Sequence, residues 1–117
     1  MSNATYTQLP GDLHVVVAHG DGLAITGSLG FSTAGDTLTA VIYEDTAAGY
    51  AAAIAATPAP AATWSIARVD NSIGAITLSL SASTVKGLSL AKSYRWFLRS
   101  SALDRAVTSG TFTMRAP

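Results

Sequence analysis

Apolar and polar residues alternate with a period of two along several short stretches, the spacing of a strand with one buried face. The clearest stretch is IGAITLSLS (73–81), in which Ile76, Leu78 and Leu80 point one way and Ala75, Thr77, Ser79 and Ser81 the other. TLTAVIYE (37–44) sets Leu38, Ala40 and Ile42 against Thr39, Val41 and Tyr43. KSYRWFLRS (92–100) sets Tyr94, Trp96 and Leu98 against Arg95, Phe97 and Arg99. TWSIARVD (63–70) places Trp64 and Ile66 on one face, and AVTSGTFTMR (106–115) alternates through Phe112 and Met114.

Turn chemistry separates these runs. LHVVVA (13–18) is a short apolar strand ahead of the turn His19-Gly20-Asp21-Gly22, whose glycines and aspartate tolerate positive φ. LAITGSLGF (23–31) follows, with Gly27 marking a bulge or a close backbone approach. STAGD (32–36), Asn71-Ser72 and the loop from Ala102 to Arg105 are further turns. In residues 82–91 a helical turn is expected at most, capped by Ser83 and ended by Gly87. The alanine and proline segment 47–62 is read as a strand near 50–56 followed by a loop stiffened by Pro58 and Pro60. Residues 1–12 read as a flexible N-terminal arm with a Pro10-Gly11 turn, and residues 13–117 as one domain. Seven or eight short strands with turns between them predict an all-β, antiparallel sandwich or barrel.

Composition narrows the function classes. The 117 residues suit one domain, and 49% apolar content excludes a disordered chain. Seven basic residues balance seven acidic ones, which argues against a binder of nucleic-acid backbone. No cysteine is present, so disulfides, thiolate metal sites and cysteine nucleophiles are excluded. The N-terminus has neither a basic residue nor an apolar core, and no stretch reaches the ~20 apolar residues of a spanning helix. A soluble protein made in a cytoplasm, without a membrane partner, is expected.

Candidate chemistry is sparse. The histidines, His14 and His19, would make half a triad with Asp21, but a turn position for His19 and a strand start for His14 are the expected reading. The nucleophile elbow G-x-S-x-G does not occur. The acids Asp12, Asp21, Asp36, Glu44, Asp45, Asp70 and Asp104 are scattered, unlike a calcium loop, and Glu44-Asp45 reads as a solvated strand end. Gly20-Asp21-Gly22 leads into a strand and so does not form a phosphate cradle. The alternation at 94–99 makes Trp96 a core residue in preference to a ligand platform, and Trp64 likewise. No catalytic, cofactor-binding or metal residues are assigned, and no cofactor is expected.

The order of features from Gly20 to Phe112 resembles immunoglobulin-like modules of tailed-phage particles, above all the N-terminal domain of phage baseplate upper proteins and its stand-alone relatives. The matching stretches are HGDG (19–22), TLTAVIYE (37–44), VDNSIGAITLSLSASTVKGL (69–88), YRWFLRS (94–100) with its Y-x-W-x-L pattern, and SGTFTM (109–114). Segment 47–62 has no counterpart in it. The resemblance implies an Ig-like β-sandwich and a non-enzymatic structural role in the virion, at the tail, baseplate, fibre attachment or neck. The implied partners are other virion proteins and copies of the chain itself, as a homo-oligomer or array. Alternatives are a capsid decoration protein, or a carbohydrate- or host-binding module using Tyr6, Tyr43 or Tyr50.

Overall fold

The β-branched and aromatic runs form strands, and their alternation buries one face of each. The computed structural model describes residues 2–6, 9, 11–46, 61–103 and 105–116. The strands are β1 (Ser2–Thr5), β2 (Val15–Ala18), β3 (Leu23–Ser28), β4 (Leu38–Glu44), β5 (Ala62–Thr63), β6 (Ser65–Asp70), β7 (Ala75–Leu80), β8 (Tyr94–Ser100) and β9 (Arg105–Arg115). One short helix, α1 (Ala82–Lys86), joins β7 to β8. The strands make a four-stranded sheet in the order β1-β3-β7-β6 and a five-stranded sheet in the order β2-β9-β8-β4-β5.

That order is the immunoglobulin one: β3, β7 and β6 take the B, E and D places, and β9, β8 and β4 the G, F and C places. The expected all-β sandwich is therefore the fold. Tyr94 opens the F-type strand, and its hydroxyl accepts the Ser89 backbone N–H at 3.0 Å, a tyrosine corner. Two residues on, where antibody domains carry the second cysteine of their disulfide, stands Trp96, fully buried. Its ring lies 5.4 Å from that of Trp64, and Phe112 meets Trp64 edge-on at 6.0 Å. An aromatic cluster thus fills the core against the five-stranded sheet in a chain without cysteine.

Most expected faces hold. Ile76, Leu78 and Leu80, with Ala40, Ile42, Tyr94, Trp96, Leu98, Phe112 and Met114, are buried between the sheets. Phe97 packs on the opposite face of β8, with Tyr43, Val41 and Ala106, in a second small apolar cluster. Gly27 proves to be a close approach and not a bulge: a Cβ there would lie 2.8 Å from the Leu9 side chain.

Four expectations need correction. Residues 1–12 are not simply an arm. β1 pairs with β3, the Tyr6 and Leu9 N–H groups bond the Thr26 and Ser28 carbonyls, and Leu9 is buried in the core. The sandwich is not wholly antiparallel, because β1–β3 and β2–β9 are parallel. Parallel neighbours require a crossover, and residues 6–22, which contain β2 on the other sheet, supply the one between β1 and β3. Segment 63–70 is not one strand: β5 pairs with β4 and β6 with β7, so the chain changes sheets at the buried Trp64. The helix cap is Ser81, whose hydroxyl accepts the Thr84 N–H at 3.2 Å, while Gly87 ends the helix as expected. The strand expected at 50–56 and the proline loop after it lie outside the described residues.

Candidate interaction surface

A sandwich offers two kinds of surface for a partner, its sheet edges and its loop ends. At the loop end between β3–β4 and β8–β9, Asp36 is the hub. Its carboxylate accepts from the Ser100 hydroxyl, from the Ser101 hydroxyl at 2.9 Å and from the Ala102 N–H at 2.9 Å. The Ser100 bond, followed by that from Ala102, holds its pKa at about 2, against a smaller opposing effect of burial. Arg68 closes the same end from β6. It donates to the Thr33 carbonyl at 2.8 Å, to Asn71 Oδ1 at 3.2 Å and to the Asp36 carbonyl. These bonds tie three loops into one unit.

Of the two histidines, His19 Nε2 lies 2.9 Å from the Leu88 carbonyl. His14 sits on the far side of β2, about 16 Å away for an extended strand. The half-triad of His14, His19 and Asp21 is therefore not assembled. His14 instead meets Asp12, which the sequence showed only as one of the scattered acids, and Thr111, which it did not bring forward. Nε2 lies 3.3 Å from Asp12 Oδ2, and Nδ1 lies 2.8 Å from Thr111 Oγ1.

This acid, imidazole and hydroxyl row has a structural cause. The Leu13 and His19 N–H groups donate to the Ser109 and Arg115 carbonyls, so the odd-numbered residues of this segment face β9. By that parity the Leu13 carbonyl would accept the Thr111 N–H. It is turned inward, over Gly110, and accepts the buried Trp96 indole N–H at 2.8 Å. The Thr111 N–H donates to His14 Nδ1 at 3.2 Å in its place. Accepting there puts the neutral ring's proton on Nε2, toward Asp12. The imidazole therefore stands in for a missing ladder acceptor. Nothing in the sequence pairs position 14 with position 111; only the β2–β9 register does.

Beside this row, a cleft of about 160 Å³ opens at the edge of the sandwich, lined by Tyr6, His14 and Val16 above the apolar Leu13, Val15, Leu23 and Ile25. Val16 is 57% exposed and Tyr6 36%. Of the tyrosines suggested for stacking on a sugar, Tyr43 is buried against Phe97 and is not available for it, and Tyr50 lies outside the described residues. Glu44 ends β4 at the surface, as expected, in an ion pair of 2.7 Å with Lys92, which raises the lysine pKa first through the hydrogen bond and then through the charge. Among the described residues no three histidine or acidic side chains gather into a metal site, and no helix is long and apolar enough to cross a membrane.

No protein-family model matches the chain, and the search of curated proteins found no match.

Proposed function

We propose that this chain is a non-enzymatic structural module of a tailed phage or prophage particle, at the tail, baseplate, fibre attachment or neck, acting through protein–protein contacts. The observation that carries the reading is the immunoglobulin strand order on a chain with only 12% charged residues. Such a surface is suited to contact with other protein. The chemistry-bearing residues agree with this: His14 completes a backbone ladder, Asp36 and Arg68 bind loops together, and the tryptophans fill the core. Repeated copies in a ring or array make weak contacts effective.

Quantitative mass spectrometry of purified particles from a culture producing the protein tests the reading. A fixed count of roughly six to eighteen copies supports the tail, baseplate or neck, the rotational orders of such rings. Several hundred copies mark capsid decoration instead. Abundance in the lysate without presence in particles overturns the structural role.

A further inference from the structure

Among the described residues four strands end the two sheets, and three of them carry features that discourage pairing with another chain. β5 has only two residues. β6 is irregular between Arg68 and Asp70 and carries both charges. β1, equal in length to β2, is the polar sequence Ser-Asn-Ala-Thr. β2 differs. Its sequence is Val-Val-Val-Ala, continuing the apolar run from Leu13 apart from His14, with no charged residue, proline or register shift between Val15 and Ala18.

The geometry of β2 also defines what it presents. Because odd-numbered residues bond β9, the N–H and C=O groups of His14 and Val16 and the N–H of Ala18 point away from the sheet, toward the edge, while the Ala18 carbonyl accepts the Asp21 N–H at 3.0 Å in the turn that follows. Val16 is the middle residue of this set and the most exposed residue of the strand.

We propose that β2 is the edge through which two copies of this chain pair, antiparallel and centred on Val16. The inference rests on the reading of the chain as an assembly module and names its contact. A two-fold axis at Val16 sets Val16 opposite Val16 of the second copy, and His14 opposite Ala18 in both directions. The Val16 pair exchanges two bonds and each His14–Ala18 pair adds the bond from the Ala18 N–H to the His14 carbonyl, about four in all. The five-stranded sheets of the two copies then run on as one. A second copy is the fitting occupant because the edge complements itself: the uncharged valines meet each other without like-charge repulsion, and one surface serves both partners. So short an edge makes a weak dimer, strengthened where copies are held in an array.

Sedimentation equilibrium of the purified chain from about 10 μM to about 1 mM tests this, the range in which a small interface associates. The expected result is a mass rising from monomer to dimer, and a monomer throughout for Val16→Lys with an unchanged melting temperature. A second readout uses the absence of native cysteine. Val16→Cys places the two cysteine Cα atoms about 5.5 Å apart, within disulfide reach, whereas Thr113→Cys on the neighbouring strand leaves them about 14 Å apart. The Val16→Cys chain is expected to oxidise to a covalent dimer at least tenfold faster. A wild-type chain monomeric at 1 mM, a dimer indifferent to Val16→Lys, or equal oxidation of the two cysteine variants each overturns β2 pairing. The particle assignment is judged separately by copy number in purified particles, so the two failures are distinct.

Discussion

Gly110→Ala is expected to be among the costliest single-methyl additions in the molecule. A Cβ at position 110 would stand 1.9 Å from the Leu13 carbonyl oxygen and 2.4 Å from its carbon. Ordinary contact begins at 3.4 Å, so the backbone of Leu13 must retreat by about 1.5 Å. Both atoms in conflict are backbone, and no rotamer change relieves them. Retreat breaks the bond from the Trp96 indole and the 2.8 Å bond from Leu13 N–H to Ser109. A buried N–H left without a partner costs about 1–3 kcal/mol, and a lost ladder bond about 0.5–1.5 kcal/mol. The sum is on the order of 2–4 kcal/mol, a large share of the ~5–15 kcal/mol of a typical domain. Urea unfolding followed by tryptophan fluorescence measures it, and hydrogen exchange of the Trp96 indole reports the broken bond directly. Gly11→Ala is the control, since nothing lies within 4 Å of its added Cβ. A Gly110→Ala protein within ~0.5 kcal/mol of wild type, with its indole still protected, would refute the inward Leu13 carbonyl and the account of His14 built on it.

Other substitutions test the remaining contacts. Leu78→Ala and Trp96→Ala, both at fully buried positions, are each expected to lose about 2–5 kcal/mol in urea unfolding, and a near-zero loss at either site would invert the strand faces. Tyr94→Phe removes the corner hydrogen bond to Ser89 and is expected to cost about 1 kcal/mol, read as a lowered urea midpoint at constant slope. Asp36 titrates at about 2 when folded and at about 3.9 when unfolded, so its stabilisation is complete above the unfolded value and is lost as pH falls from about 4 to about 2. Acid titration of stability is therefore expected to be shallower in that window for Asp36→Asn, and an identical titration would exclude the hub role.

Much of the fold was legible because its strands are simple. Where one face meets the core and the other meets solvent, the period of two survives in the residues themselves. Positions 75–81 and 94–98 therefore disclosed their buried faces without any coordinates. Tyr94 and Trp96 were legible as core for the same reason. The N-terminal segment was not. Its polar residues carry no alternation, and it is held by backbone bonds to β3 and by a single buried leucine. Trp64 was misplaced within a continuous strand because a strand that changes sheets keeps its local alternation while its partners change.

The sequence by itself determined the fold class, the positions of the strands outside the N-terminal segment and 63–70, the main core residues and the absence of disulfide chemistry, since these depend on local period and composition. Tertiary structure decided which strands are neighbours and which pairs run parallel. It also decided that His14 reaches Thr111, that Gly110 makes room for the Leu13 carbonyl, and that β2 ends its sheet among the described residues. All of these depend on register between segments up to 97 residues apart. Local propensity holds no information about such pairings; the collective burial of both inner faces selects them.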